Sequence, residues 1–471
     1  MNRLSRSAAL ATSVLVVLGL TVAPPSNAAG RGEQGTYVVV LKASVADPAA
    51  AAAKHTGKYG GTRRAVFSHA LKGYAATMTP TQAEALVGDP SVLFVSKERT
   101  YRLAPPSRRK PVKTVRCREL QGDGQCLPDW ADRINAERSS TRSGDGRGSV
   151  KVNVAVIDSG IAGNEADLNV KGGADCLTGT PVIPGSSLND PNGHGTEVAG
   201  VVGAKDNKIG IVGVAPGVAL WAVKPFPDDG GPASDAAVLC AIDWVTSTRT
   251  DDDPDNDIAV ANMSFGGEDT PQGADDGNCG TVNEDPVHVA VCNAVRAGVT
   301  LVASAGNEHF DLARQGPAAY DEVITATAME DFDGQPGGKA APDCYGTDYG
   351  FYGNTDDQAT LEFSNFARSP ADRRHTVAAP GVCVETTDPQ GVSHHTLVDG
   401  TSFASPGVAG VTALCIAKGR CGASTPGHNL RTIVNDAKKY SRSHPRYGFL
   451  GDPLRPIKGR YYGPLVAANR Y

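Results

Sequence analysis

Four short stretches of this chain hold side chains whose types and neighbours could do chemistry. Asp158-Ser159-Gly160 follows residues 151–157 (KVNVAVI), which are apolar on alternate positions and then continuously, as in a strand buried in a parallel sheet. An aspartate at the carboxyl end of such a strand stands where α/β sheets gather ligands and catalytic groups. On Asp158 alone, a turn or helix cap is the simpler interpretation. Asn192-Gly193-His194-Gly195-Thr196 leads into Val198, Ala199, Val201 and Val202 at helical spacing. The flanking glycines leave the imidazole uncrowded and let the backbone turn tightly into the helix, although a lone histidine is more often an ordinary surface or core residue. Residues 399–406 (DGTSFASP) open an apolar helix over 408–416. Ser402 is either a cap there or a nucleophile that gains from exposed backbone N–H groups able to bind a developing oxyanion. The Gly-x-Ser-x-Gly elbow of α/β-hydrolases is absent. Residues 299–303 read as a strand ending in Ser304-Ala305-Gly306-Asn307, from which the Asn307 amide could supply a second oxyanion donor.

A large frame must bring such scattered residues together. With 471 residues, 40% of them hydrophobic and 20% charged, the chain is long enough for a large core plus a second domain and is not of disordered composition. Its 55 glycines and 31 prolines show no collagen-like period and read as turns. The net charge of −6 is unevenly spread: residues 1–110 carry 15 basic and 5 acidic side chains, the remainder 30 and 46. A strongly acidic body argues against nucleic acid as partner, and the contrast implies that the two parts attract each other.

Arg3 and Arg6 precede an apolar run over 8–22, followed by Pro24, Pro25 and Ser26-Asn27-Ala28, with no acidic residue before Glu33. That is the order of a secretory signal. Its helix would reach about 22 Å, short of the roughly 30 Å hydrocarbon core of a bilayer. Residues 1–28 are therefore expected to be a signal peptide, and the protein to be secreted and extracellular, with no membrane partner. Next, residues 36–42 (TYVVVLK), 64–68, 70–78 and 92–97 are strand-like, while 46–59, with Pro48 near its start, and 79–87 are helical. The order β-α-β-β-α-β predicts a small split βαβ (ferredoxin-like) domain, left through the basic, Pro-rich exit 97–110. The domains expected are thus 1–28, 29–110 and 111–471.

All ten cysteines lie between Cys117 and Cys421, an even number in an exported chain, and so read as disulfides. Local pairing favours Cys117–Cys126, Cys279–Cys292 and Cys415–Cys421; Cys176, Cys240, Cys344 and Cys383 leave three connectivities open. Zinc is disfavoured because no Cys-x-x-Cys pair occurs. Asp251, Asp252, Asp253, Asp255 and Asp257 offer oxygen ligands to calcium, but they lack EF-hand spacing and read first as a solvated loop.

Together the four motifs resemble those of the subtilases, the subtilisin-like serine proteases. Val-Ile-Asp-Ser-Gly-Ile (156–161), Gly-His-Gly-Thr (193–196), Ser-Ala-Gly-Asn (304–307) and Gly-Thr-Ser-Phe-Ala-Ser-Pro (400–406) stand in that family's order. Gly213-Val214-Ala215-Pro216 and residues 219–224 resemble its framework, and Met263-Ser264-Phe265-Gly266-Gly267 its substrate strand. The resemblance implies an α/β fold, a parallel sheet with helices on both faces. It implies Asp158 as orienter, His194 as general base, Ser402 as nucleophile and Asn307 as oxyanion donor. Substrate would lie on Ser264, Phe265, Gly266 and Gly267 as an added strand. No cofactor or catalytic metal is required for that chemistry, and a structural calcium is compatible with the family.

Residues 29–110 then become an inhibitory propeptide, with strand 92–97 and the exit residues expected in the active-site cleft. The expected function is a secreted serine endopeptidase made as a zymogen, acting through an acyl-enzyme. Its partners would be protein or peptide substrates and its own propeptide, without nucleic acid or membrane, and it would be a monomer. An esterase would keep the triad but prefer small esters, and a binding protein without activity would lack a complete triad. A sedolisin-like enzyme would use an acidic base, which the Gly193-His194-Gly195 setting disfavours. Glu197 departs from the family, which more often has histidine or an apolar residue there; an acid in a helix's first turn is electrostatically comfortable. Residues 111–150 and 418–471 carry none of the motifs behind the resemblance and are expected to decorate the core and carry disulfides.

Overall fold

The structure, a computed structural model, describes residues 33–103, 117–120, 125–147, 149–267, 274–338, 340–341, 355–391 and 395–471. The expected signal peptide, residues 1–28, and the exit beyond residue 103 lie outside the described residues.

The N-terminal domain runs β1 (Gly35–Leu41), α1 (Pro48–Tyr59), β2 (Thr62–Phe67), β3 (Gly73–Met78), α2 (Pro80–Val87) and β4 (Val92–Lys97). Its sheet has the order β2-β3-β1-β4, every neighbouring pair antiparallel, as the split βαβ pattern requires. Pro48 does not interrupt α1 but opens it, behind an Asp47 cap that accepts from the Ala50 N–H. Thr79 and Gln82 form a capping box on α2. The unbroken apolar run of β1 is explained by burial on both faces. Val39 and Leu41 pack under the helices with Ala52, Ala83 and Leu86, whereas Val38 and Val40 join Phe67 and Phe94 in a cluster shared with the main body.

Beyond β5 (Thr100–Leu103), the body begins with the hairpin β6 (Cys117–Leu120) and β7 (Gln125–Pro128) and the short α3 (Asp129–Arg133). It continues through β8 (Asn153–Ile157), β9 (Val170–Asp175), α4 (His194–Gly203), β10 (Ala219–Lys224), β11 (Ala233–Ser234), α5 (Asp235–Ser247), β12 (Ile258–Met263) and β13 (Phe265–Gly267). Then come α6 (Pro286–Ala297), β14 (Thr300–Ser304), β15 (Ile324–Glu330), β16 (Gln358–Ala359), β17 (Thr376–Pro380), the hairpin β18 (Val384–Thr387) and β19 (His395–Val398), α7 (Thr401–Ala417) and α8 (Pro426–Ser443).

The main sheet is ordered β16-β15-β14-β12-β8-β10-β9, with β17 also on β15, and is parallel except where β16 joins β15. Alternation along β8 assigns the layers. Val154 and Val156 pack with Val198 and Val201 of α4 and Val408 and Val411 of α7, and Ala155 and Ile157 with Val238 and Leu239 of α5 and Val287 and Val291 of α6. Helices therefore cover both faces.

Cys176 pairs with Cys240, which settles one of the open connectivities, and Cys279–Cys292 and Cys415–Cys421 are bonded as expected. Cys126 and Cys383 are also disulfide-bonded, and no described cysteine is free. Residues 418–471 supply α8 and a return strand segment that bridges Tyr461 to Ala367 and Leu465 to Ala378, ending on a buried Tyr471. No helix among the described residues is long and apolar enough to cross a membrane.

Candidate active site

The carboxyl ends of β8 and β14 and the N-termini of α4 and α7 meet at one edge of the parallel sheet. Asp158 leaves β8 fully buried, and its Oδ1 lies 2.7 Å from His194 Nδ1. The approach is close because residue 195 is glycine: a Cβ there would collide with the Gly160 carbonyl oxygen and lie 3.1 Å from the Asp158 Cβ. Gly193, at φ +93°, makes the left-handed step into α4. Asp190 clamps the loop. It accepts from Ser159 Oγ (2.8 Å), the Gly193 N–H (3.0 Å), and the Thr196 N–H (2.8 Å) and Oγ1 (2.7 Å), so the strand carrying Asp158 and the helix carrying His194 share one anchor. The buried Lys224 ammonium reinforces it, donating to the carbonyls of Ser159 and Asn189 and to Asp228.

His194 Nε2 is buried without a hydrogen-bond partner. Burial, the largest influence on this ring, disfavours its charged form, but the Asp158 carboxylate, then Glu197 and Asp190, outweigh it and raise the His194 pKa above its ordinary 6.5. Glu197 is itself buried in the first turn of α4 and contributes to the field at the imidazole.

Ser402 stands in the first turn of α7, fully buried, with Oγ donating to the Ser264 carbonyl at 3.2 Å. Pro406 has no N–H to offer the Ser402 carbonyl four residues back. Ser264 Oγ fills the gap at 2.8 Å and accepts in turn from Asn262 Nδ2 at 2.8 Å, while Asn262 Oδ1 accepts from Ser405 Oγ at 2.5 Å. Beside it, Asn307 Oδ1 accepts from the Thr401 N–H (2.9 Å) and Oγ1 (2.8 Å). Those two bonds fix the amide orientation, so Nδ2 faces the other way, next to Gly400. Asn365 braces the Asn307 loop, donating to the Ala305 carbonyl at 2.9 Å and accepting from the N–H groups of Glu308 and Phe310.

The strand over Phe265–Gly267 is not bare. β5 of the N-terminal domain lies antiparallel between β13 and β11, pairing Leu103 with Phe265, Arg102 with Gly266, Tyr101 with Gly267 and Ala233, and Thr100 with Ser234. Of the two segments expected there, the exit residues, at 100–103, lie along this strand, and the expectation for 92–97 is corrected, since they remain in their own sheet on β1. The domain is further held where Asp243 of α5 accepts from the N–H groups of Ser68 (3.2 Å), His69 (2.7 Å) and Ala70 (2.6 Å).

The structure thus brings Asp158, His194, Ser402, Asn307 and the 264–267 strand into one neighbourhood. Sequence reasoning missed Asp190, Asn365 and Lys224, which act through contacts between distant segments; the only local hint was an aspartate four residues before His194. It also missed a ring of oxygen acceptors around the Gln125 side chain. Gln125 Nε2 faces the carbonyls of Lys205 (2.8 Å), Ile209 (3.0 Å) and Ile211 (3.4 Å) and Asn207 Oδ1 (3.3 Å). Two amide hydrogens cannot satisfy four acceptors, while Gln125 Oε1 accepts from the Lys208 N–H at 3.1 Å. The neighbouring Asp167, bonded to Asn207 Nδ2 and the Ile211 N–H, is pushed up to about 7, chiefly by burial. This oxygen-rich ring fits calcium chemistry. The 251–257 run instead forms an exposed loop in which Asp251 and Asp253 accept from the N–H groups of Asp253 and Asp255.

Comparison with known proteins agrees with this geometry. Residues 149–449 match the model of the subtilase family, which corrects the expectation that the segment from residue 418 lies outside the family pattern, and residues 36–104 match that of peptidase inhibitor I9. Subtilisin DY of Bacillus licheniformis is 32% identical over 297 residues, 62% of this chain and 86% of that protein. Subtilisin E of Bacillus subtilis (strain 168) is 29% identical over 398 residues, 83% of each chain. The crystal structure of fervidolysin from Fervidobacterium pennivorans, a keratinolytic enzyme related to subtilisin, superposes with a TM-score of 0.62 at 21% identity; it covers 94% of this chain, which spans about three fifths (61%) of that one, and at this identity it bears on the fold alone. The subtilase model covers more than half of the chain, and the chain belongs to the subtilase family of serine peptidases.

Proposed function

We propose that the protein is an exported serine endopeptidase made as a zymogen, with residues 1–28 as signal peptide, 29–110 as inhibitory propeptide and 111–471 as a monomeric protease domain. The observation that carries this reading is the chain's own extended segment 100–103, paired antiparallel to Phe265–Gly267 beside Ser402. It lies as a peptide substrate would when added to the edge of a sheet.

In the proposed mechanism Ser402 Oγ turns from the Ser264 carbonyl to His194 Nε2, gives up its proton and attacks the peptide carbonyl. Asp158 holds Nδ1 protonated and stabilises the imidazolium. The Ser402 N–H and Asn307 Nδ2 bind the oxyanion, His194 protonates the departing amine, and water then releases the acyl group from Ser402. Ser264, Phe265, Gly266 and Gly267 hold the substrate backbone.

Subtilases need no cofactor for catalysis and often bind structural calcium. Here Gln125, Asp167, Asn207 and the carbonyls of Lys205, Ile209 and Ile211 would hold such an ion, which would stiffen the loop after α4. Export rests on the N-terminal signal pattern and on the disulfides. A fluorophosphonate should label Ser402 of the matured wild type, and Ser402→Ala should fold, take no label and cleave nothing. Labelling at another serine, or proteolysis by the variant, would refute the assignment.

A further inference from the structure

Just upstream of the segment in the cleft, Arg99 reaches a pocket walled by two buried carboxylates at neighbouring helix starts. Its Nη2 lies 2.5 Å from Asp285 Oδ1 and 3.4 Å from Asp235 Oδ1, and its backbone N–H donates to Asp235 Oδ2 at 2.8 Å. The pocket is built by the protease body, not by the visitor. Asp285 caps α6 through the N–H groups of Val287 (3.0 Å) and His288 (3.2 Å), and its Oδ2 accepts from the Tyr320 hydroxyl at 2.7 Å. Asp235 opens α5 behind the Ser234 cap and is wholly buried. Its carboxylate accepts from the backbone N–H and the guanidinium of Arg99, on the inhibitory segment. When that segment leaves, two carboxylates remain facing a peptide-binding groove, one of them without its hydrogen-bond donors.

We infer that Asp235 and Asp285 form a distal specificity subsite for arginine in extended peptides, reading the residue two places before the aromatic side chain that packs on Phe265. This rests on the protease reading above and adds a substrate class to it. The register follows from the bound segment. Tyr101 is buried with its ring 6.0 Å from that of Phe265, its hydroxyl lies 3.3 Å from Arg99 Nη2, and residues 101–103 pair with β13. An arginine fits better than a lysine because a planar guanidinium can reach two carboxylates at once, whereas an ammonium is a single point charge. Burial is the main reason Asp235 is pushed up to about 6 even with Arg99 beside it, so an empty pocket is costly and a cation entering it relieves that cost.

The test uses the enzyme matured from the full chain and two families of peptides. Fluorescein-labelled Glu-Arg-Thr-Tyr-Arg-Leu, and versions with Ala, Gln or Lys at the first arginine, are titrated by anisotropy. The same sequences placed before one common cleavable segment are followed as internally quenched substrates. The arginine peptide should bind at least about tenfold more tightly than the alanine one, with lysine between, and the gain should appear in KM while kcat changes little. In Asp235→Asn and Asp285→Asn the arginine-to-alanine ratio should fall towards one; asparagine at 285 can still cap α6. Equal binding of the arginine and alanine peptides by the wild type overturns the inference, as does an undiminished ratio in the Asp235→Asn enzyme. If a variant does not mature, the wild-type anisotropy decides alone. Arginine-selective binding without cleavage of any peptide would keep the subsite and refute the protease reading.

Discussion

At the scale of single residues, the site depends on buried groups whose partners come from other segments. In the proposed mechanism the imidazole must be neutral to accept the Ser402 proton, and its pKa is raised, so activity should be lost as pH falls through a value above 6.5. The acid limb of kcat/KM should therefore lie above 6.5, and Glu197→Gln, which removes one of the charges raising it, should shift that limb downward. A rate that climbs steadily below pH 5 would instead favour an acidic base and a sedolisin-like mechanism. Asn307→Ala should lower kcat by about 10²–10³ with a small change in KM, the loss known for the matching oxyanion-hole asparagine of a subtilisin. Fluorophosphonate labelling of Ser402 in that variant, with turnover slowed, separates a missing donor from a collapsed site.

At the scale of elements, the start of α7 is shaped by a proline that frees a carbonyl. Ser264 Oγ serves that carbonyl, and Ser264→Ala removes this donor from it and this acceptor from Asn262 Nδ2. The cost should be about 1–3 kcal/mol, read as a lower denaturation midpoint in a Ser402→Ala background that cannot digest itself. The loop from α4 to β10 is the second such element. If its ring of oxygens holds calcium, a chelator should lower the melting temperature of the wild type, and Asp167→Asn should erase the difference between chelated and calcium-loaded protein. Equal melting of the wild type with and without calcium would remove the ion from the account.

At the scale of the whole molecule, the N-terminal domain uses one face of its sheet to cover α5 and α6 and sends its exit strand into the cleft. Residues 29–110 carry a net +8, opposite in sign to the body. Added in trans, this segment should inhibit the matured enzyme competitively with peptide substrate. Its association rate should fall as salt rises, because steering between opposite fields is screened over about 8–10 Å at physiological ionic strength. The Asp243 carboxylate binds three backbone N–H groups of the β2–β3 turn, so Asp243→Ala should weaken that inhibition at least about tenfold, mainly through faster dissociation. No inhibition at micromolar segment would reduce the domain to a folding aid.

What the amino-acid sequence determined by itself is whatever neighbours along the chain encode. The alternation over 151–157 specified a strand buried on both sides, residues 79–87 a helix, and Gly193-His194-Gly195 an imidazole at a tight entry into a helix. The order of four such motifs was enough to suggest the family. The tertiary structure alone decided what requires distant segments to meet. It chose Cys176–Cys240 among three connectivities and set Asp190 between β8 and α4. It also turned Gln125 towards a loop some eighty residues away, and of strand 92–97 and the exit residues it put only the exit, at 100–103, in the cleft. Arg99 shows the difference plainly: in sequence it is one basic residue in a charged exit, and only the packing of α5 against α6 places Asp235 and Asp285 around it. Periodicity and capping act over three or four residues and leave a local trace. Pairings across a hundred residues or more depend on which loops close and which faces pack, and no short window of the chain carries that information.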